Sequence, residues 1–167
     1  MVGNNFSKKF EQAITRVLKN EGGYTNDQYD GGGETKFGIS KRSYPNLDIR
    51  SLTLDGAKLI YYRDFWAPQH YEQINSFEIA EKIFDLAVNV GTPKAHIVLQ
   101  RALRAVGFRV KEDGILGKIT LAAINAANEN ALLAAIRSES AGYYRSIVAA
   151  NSSQSRFING WLNRSYT

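Results

Sequence analysis

The stretch 21-EGGYTNDQYDGGGETKFGIS-40 separates a helical pattern from a segment rich in glycine and carboxylates. Before it, apolar residues recur at helical spacing from Phe6 to Leu18, which predicts an amphipathic helix of about four turns. Gly22 and Gly23 end that helix, because glycines commonly follow a helix end. Glu21 therefore falls in or just beyond the last turn. Within 24–40, short β-prone pieces flank a loop of Asn, Asp and Gly, which predicts a small β-hairpin.

The remainder of the chain has mostly helical spacing. One helix is predicted to begin at Ser51 or Thr53 and to end before Pro68. It carries Tyr62 and Trp66 on one face, and such an aromatic face is more often core than a sugar platform. Further helical segments are predicted at 78–90, 93–106, 117–128, 129–149 and 154–164. The sequence therefore predicts a mostly α protein with one small β element near its beginning.

The charge is placed unevenly along the chain. Residues 1–80 contain ten Lys and Arg against ten Asp and Glu, whereas residues 81–167 contain eleven against six, which is the whole net charge of +5. A basic second half indicates an anionic polymer as partner, whether nucleic acid, anionic lipid or cell wall, and a solvated surface is an equal alternative. With no cysteine, no secretory signal and no apolar run of membrane-spanning length, we expect neither disulfides nor stable membrane insertion.

The carboxylates around the glycines suit the hydrolysis of a glycosidic bond. That reaction needs a carboxylic acid to protonate the leaving oxygen and a carboxylate on the other face of the sugar. Glu21 suits the acid role, because the negative end of a helix dipole raises a carboxyl pKa. Asp30 lies nine residues on, and Thr35 offers a hydroxyl that can orient a water. Each residue alone is more often a surface or turn residue; their spacing in a helix–hairpin context favours function.

Other chemistries have little support in this sequence. The loop lacks the Gly-Lys-Ser/Thr ending of a phosphate-binding loop and the acid alternation of a calcium loop. His70 and His96 are the two histidines and lack ligand-like spacing. Without cysteine or a Ser-His-acid pattern, nucleophilic acyl transfer is not indicated. We expect no metal and no organic cofactor.

The same stretch closely resembles the signature of glycoside hydrolase family 108, the phage and bacterial N-acetylmuramidases, and its E…D…T order is similar to that of tailed-phage lysozymes. The resemblance implies that Glu21 is the general acid. Asp30 and Thr35 would hold the attacking water, as the equivalent pair does in those inverting lysozymes, although retention stays open here. Glu34 is not required by the pattern and is interpreted as a surface residue. The matching positions are Glu21, Gly22, Gly23, Tyr24, Asp30, Gly32, Gly33, Thr35, Gly38 and Ile39.

The second half resembles the peptidoglycan-binding region that accompanies this family, over 83–107, 113–128 and 160–164. Together the two resemblances imply two lobes, a catalytic lobe at 1–78 with a helix and a β-hairpin, and a helical lobe at 79–167. In the preferred reading the helical lobe completes the cleft of a lysozyme-like α+β fold; in the alternative it is a separate wall-binding module.

Three residues are candidates for substrate binding. Tyr24 adjoins the catalytic segment. Asn89 precedes Gly91 in a pairing that is similar to substrate-facing residues of phage lysozymes. Asp85 lies four residues before Asn89 and so shares its helix face, although capping of a neighbouring backbone is the favoured alternative for it.

The expected activity is hydrolysis of the β-1,4 bond between N-acetylmuramic acid and N-acetylglucosamine in peptidoglycan. A monomeric phage endolysin would fold in the host cytoplasm and act on the wall in the periplasm after holin-mediated release; a secreted effector would look the same. The alternatives are a lytic transglycosylase, which needs no water-holding Asp, and a wall-binding protein without activity. The net charge alone supports nucleic-acid binding, which we do not expect.

Overall fold

The computed structural model describes residues 6–20, 24–26 and 33–167. The chain divides into two compact units, Met1–Glu72 and Gln73–Thr167. The described residues form seven α-helices, three short strands and several single turns of other helix types. The prediction of a mostly α fold with a small β-hairpin is confirmed.

The first unit begins with an amphipathic helix and a small sheet. Helix α1 covers Lys8–Asn20, and its buried face carries Phe10, Ala13, Ile14 and Val17. Three antiparallel strands follow in the order β1-β2-β3, at Thr25–Asn26, Glu34–Lys36 and Ile39–Ser40. Helix α1 is therefore the amphipathic helix that the apolar spacing of the sequence predicts.

A tight turn joins β2 to β3. Phe37 and Gly38 both have positive φ angles, of 54° and 76°, as a two-residue hairpin turn of type I′ requires. A positive φ is unfavourable for phenylalanine, and the Tyr61 hydroxyl holds the turn by donating to the Phe37 carbonyl oxygen at 2.9 Å. Within the predicted β-prone stretch 24–40, residues 36–39 are therefore the ends of two strands with a turn between them.

Helix α2, at Leu54–Tyr61, begins as the sequence predicts. Thr53 is its N-cap, and the Thr53 hydroxyl accepts from the Gly56 amide at 3.1 Å. A π-helical turn at Tyr62–Trp66 continues it, and Pro68 follows in a short 3₁₀ turn. Trp66 is buried, with its ring centroid 5.5 Å from that of Phe10. Its predicted place in the core is confirmed.

The second unit is entirely helical in its regular structure. Helix α6 is the longest and contacts α3, α4 and α7. Its buried side chains include Leu132, Ile136 and Tyr144, while α3 and α4 contribute Ile83, Phe84, Leu99 and Leu103. The helices are α3 at Phe77–Val90, α4 at Thr92–Ala105, α5 at Lys118–Ala126, α6 at Glu129–Ala150 and α7 at Ile158–Tyr166, with a 3₁₀ segment at Ser152–Phe157.

No single helix within the described residues has the length and apolar character to cross a membrane. Only α5 and α6 taken together, bent by 119° at their junction, reach that length and composition.

Candidate active site

The predicted acid Glu21 and the predicted water-holding Asp30 lie outside the described residues. Their roles stay predictions. The structure gives the elements on either side of them: α1 ends at Asn20, β1 runs over Thr25–Asn26, and β2 begins at Glu34. The candidate catalytic segment therefore connects the end of α1 to the sheet of the first unit.

Thr35 occupies the middle of β2, the central strand. It pairs with Thr25 on β1 and with Ser40 on β3. Its hydroxyl donates to the Gly33 carbonyl oxygen at 3.2 Å, and its side chain is half-buried. A hydroxyl has one proton to donate and two lone pairs that accept. The proton of Thr35 is engaged within the protein, so Thr35 can act toward a water only as an acceptor.

Tyr24 is held by a carboxylate and a guanidinium. Its hydroxyl donates to Glu34 Oε1 at 2.7 Å and accepts from an Arg50 terminal nitrogen at 3.4 Å. Arg50 Nε lies 3.8 Å from the same Glu34 oxygen, and its guanidinium carbon lies 5.8 Å from the centroid of the tyrosine ring. Tyr24 is 39% exposed. Glu34 and Arg50 thus hold the hydroxyl end of the Tyr24 ring, while part of the side chain stays exposed to solvent.

Glu34 and Arg50 contact the candidate residue Tyr24, and the sequence interpretation anticipated neither contact. Glu34 was read as a surface residue, yet its side chain is only 24% exposed and it orients Tyr24. Strand alternation could have indicated this. Asn26 pairs with Glu34, and Tyr24 lies two residues before Asn26, so Tyr24 and Glu34 share one face of the sheet. Arg50 comes from a loop outside the motif and gave no such signal.

A second cluster of polar side chains in the first unit is centred on Asp64. The Tyr44 hydroxyl donates to Asp64 Oδ2 at 2.8 Å, and Arg63 donates to both carboxylate oxygens at 2.5 and 2.7 Å. The Arg63 hydrogen bonds lower the pKa of Asp64, whereas burial and the Asp64 carboxylate raise the pKa of Tyr44. Tyr44 and Arg63 line a cavity of about 490 Å³, together with Ser43, Pro45, Asn46, Leu47 and Ile60.

Asp85, a predicted substrate contact, lies where α3 packs against α7. Its Oδ2 is 3.7 Å from Arg164 Nε, and its side chain is 13% exposed. On the preceding turn of α3, Lys82 Nζ donates to the Arg164 carbonyl oxygen at 2.5 Å. Burial raises the pKa of Asp85, and Arg164 and Lys82 oppose that rise. The partner of Asp85 is thus the charged side chain of Arg164, whereas the alternative interpretation predicted that Asp85 caps a neighbouring backbone.

Asn89, the other candidate on α3, contacts α6. Its Nδ2 donates to the Tyr144 hydroxyl at 2.5 Å. Burial raises the pKa of Tyr144 to about 12, and the Tyr144 ring stacks on Trp161 of α7 with centroids 5.2 Å apart. Asp85 and Asn89 therefore both serve the packing of α3 within the second unit. Their contact with substrate stays a prediction.

In the part of the chain that the structure describes, no group of three or more His, Cys, Asp or Glu side chains is placed to hold a metal ion. His96 is buried, and its Nδ1 lies 3.0 Å from the Gly114 carbonyl oxygen. Burial lowers the pKa of His96, which favours the neutral ring.

Comparison with known protein families gives two consecutive matches. Residues 14–91 match the family described as Glycosyl hydrolase 108, and residues 94–166 match the Predicted Peptidoglycan domain. The two matches, in this order, define a glycoside hydrolase that acts on peptidoglycan. The chain thus carries a glycosyl hydrolase 108 domain over residues 14–91, followed by a predicted peptidoglycan domain over residues 94–166.

A solved structure, "Structure of Brucella abortus SagA", has the same fold. It superposes with a TM-score of 0.76 at 24% sequence identity, covering 94% of this chain and 89% of that chain. No curated protein matches the chain. The family matches meet between residues 91 and 94, while the compact units divide after Glu72. The lobe boundary predicted after residue 78 stays a prediction.

Proposed function

We propose that the chain is an N-acetylmuramidase that hydrolyses the β-1,4 bond between N-acetylmuramic acid and N-acetylglucosamine in peptidoglycan. One observation carries the proposal. The match to the glycosyl hydrolase 108 family spans residues 14–91 and so includes the whole Glu21–Thr35 motif, and a peptidoglycan domain follows it directly.

In the proposed mechanism Glu21 protonates the bridging oxygen as the bond to the muramic acid carbon breaks. Asp30 accepts a proton from the attacking water, and Thr35 orients that water. The geometry of β2 supports the role of Thr35. Its hydroxyl proton is directed to Gly33, so its lone pairs are the groups that can accept from a water. Water held by two acceptors presents its own lone pair to the sugar carbon, which gives inversion.

Tyr24 is the proposed sugar contact beside this segment. An aromatic ring presents a flat apolar face against which the C–H face of a sugar packs. The bonds of its hydroxyl to Glu34 and Arg50 fix the ring before substrate arrives. A contact positioned in advance loses less conformational entropy on binding.

Asn89 and Asp85 remain proposed substrate contacts in the second unit. Asn89 donates one N–H to Tyr144, so the second N–H and the carbonyl oxygen of its amide are the groups it offers to a sugar hydroxyl or N-acetyl group. Asp85 would act through its ionised form, which Arg164 and Lys82 favour against the cost of burial.

The biological setting we propose is host lysis by a phage: synthesis in the host cytoplasm, release through holin pores and action on the wall in the periplasm. The support is the similarity of the Glu21–Thr35 motif to phage enzymes. A secreted antibacterial effector is the alternative, and expression from the holin-linked lysis genes of a phage would distinguish the two.

Mass spectrometry of digested sacculi tests the chemistry. Hydrolysis predicts fragments that end in a reducing N-acetylmuramic acid. Fragments that end in 1,6-anhydro-muramic acid would instead make the protein a lytic transglycosylase, and reducing N-acetylglucosamine ends would show that the other glycosidic bond is cut. The anomer released first, followed by NMR, separates inversion from retention.

A further inference from the structure

The loop between α4 and α5 is held by a buried glutamine. Gln100 of α4 has no exposed surface. Its Nε2 donates to Asp113 Oδ1 at 2.9 Å and to the Ile115 carbonyl oxygen at 3.0 Å, and its Oε1 accepts from the Gly114 amide at 2.9 Å. One side chain thus satisfies three groups on three consecutive residues, which sets the conformation of this loop.

Gly114 fits this loop for two reasons. Its φ is +73°, and a Cβ there would lie 2.9 Å from the Pro93 carbonyl oxygen. Both conditions exclude other residues. The Gly114 carbonyl oxygen also lies 3.0 Å from His96 Nδ1. The loop is therefore packed against the first turns of α4 and has one defined shape.

The loop and the first turn of α5 present two isoleucines to solvent, Ile115 from the loop and Ile119 from the helix. Ile115 is 65% exposed and Ile119 is 75% exposed. Both line a cavity of about 380 Å³. Branched aliphatic side chains displayed at this exposure on a fixed backbone are costly to leave in water and are a common feature of binding sites. The other lining residues are Lys111, Asp113, Gly117, Lys118 and Thr120.

The charge around this cavity is positive. Lys111 and Lys118 line it, and Lys118 has no ion-pair partner among the described residues. Asp113 is a carboxylate whose hydrogen bonds from Gln100 and the Ile115 amide lower its pKa. Asp113 therefore stays ionised and offsets one of the two lysines, which leaves the cavity lining with a net charge of +1.

We propose that this cavity, defined by Ile115, Ile119, Lys111 and Lys118, binds the peptide portion of peptidoglycan. The inference rests on the proposed function and assigns a ligand to part of the peptidoglycan domain. The stem peptide is short, carries the methyl groups of alanine and bears free carboxylates. Methyl groups match the isoleucines, and carboxylates match the lysines.

The glycan strand fits this surface less well. Sugar rings pack on aromatic faces, and none of the described residues that line the cavity is aromatic. The glycan strand of the intact wall is also uncharged, because the lactyl carboxyl of N-acetylmuramic acid is in amide linkage to the peptide, so the lysines gain no ionic contact from it. The peptide is therefore the part of the wall polymer that complements both features.

The test is binding of the full chain to three probes at 4 °C, where hydrolysis is slow: intact sacculi, sacculi stripped of peptide by an amidase, and the soluble stem peptide. Wild type is expected to bind intact sacculi, to bind stripped sacculi at least about fivefold more weakly, and to be displaced by the peptide. Equal binding to intact and stripped sacculi, or no displacement by the peptide, would overturn the proposal.

Matched variants assign the effect to this cavity. Ile115→Ser/Ile119→Ser is expected to weaken binding to intact sacculi about tenfold, since apolar contacts are lost. Lys118→Glu is expected to weaken it several-fold, and less at high salt. The controls are Leu59→Ser, at a residue that is 43% exposed in the first unit, and Lys8→Glu; both should bind as wild type. Cavity variants that bind as wild type would contradict the proposal.

The readout separates this inference from the proposed function. Reducing ends released at 37 °C by wild type report the muramidase activity independently of binding. Release of those ends together with unchanged binding by the cavity variants would refute the peptide site alone. Binding that depends on the cavity without release of muramic ends would refute the proposed activity alone.

Discussion

Gln100→Leu tests whether one buried amide holds the α4–α5 loop. Leucine has a similar size, so the change removes hydrogen bonds without leaving a large cavity. The buried Gly114 amide loses its acceptor, and an unsatisfied buried donor costs about 1–3 kcal/mol. Loss of the bond to the Ile115 carbonyl oxygen adds about 1 kcal/mol. We expect the free energy of unfolding to fall by about 3 kcal/mol.

The assay is thermal and urea unfolding combined with amide hydrogen exchange. A loss of that size lowers Tm by about 6–12 °C for a protein of this length, and the exchange of the Gly114 amide should accelerate by the largest factor. Gln73→Leu is the matched control, because Gln73 is exposed; it should change stability by less than about 0.5 kcal/mol. A loss below about 1 kcal/mol with unchanged Gly114 exchange would refute the reasoning.

Two further predictions concern the carboxylates of the two units. Glu34→Ala should lower kcat/KM on sacculi roughly fivefold, mainly through a higher KM, because the Tyr24 hydroxyl loses the acceptor that fixes it. Glu34→Gln keeps an acceptor and should lower kcat/KM less. Complete inactivation by Glu34→Gln would contradict this positioning role and show that Glu34 takes part in the reaction itself. Burial raises the pKa of Asp85 above its ordinary value of 3.8. Just above pH 3.8 the folded protein therefore binds more protons at this site than the unfolded chain does, so the free energy of unfolding falls as pH rises through that window. Asp85→Asn should remove this contribution, seen as a difference in the slope of urea-derived stability between pH 4 and 6; identical slopes would contradict it.

The helices were predictable because their signals are local. Apolar spacing gives the buried face of α1, Thr53 caps α2, and the segments of the second unit lie close to their predicted bounds. Helix α2 itself ends at Tyr61, and a π-helical turn continues the chain to Trp66, just before Pro68. The turn at Phe37-Gly38 was missed, because a phenylalanine with positive φ depends on a hydrogen bond from Tyr61, 24 residues away. Tertiary contacts of this kind leave no periodic signal.

The site was only partly predictable for the same reason. The Glu21–Thr35 motif is contiguous, so a sequence can show it. The support of Tyr24 by Glu34 and Arg50 depends on strand register and on a loop outside the motif. Asp85 and Asn89 share a helix face as their spacing indicates, but only packing shows that Arg164 and Tyr144 are their partners.

The rate of reducing-end release from sacculi by Glu21→Gln, beside wild type and Glu78→Gln, tests the central claim most directly. Loss of a general acid predicts a decrease of about 10²–10⁴-fold for Glu21→Gln, with unchanged Tm and unchanged binding to sacculi. Glu78 is an exposed residue in the first turn of α3, and its variant should retain the wild-type rate. Release of muramic acid ends by Glu21→Gln at the wild-type rate would contradict the assignment of Glu21 as the acid.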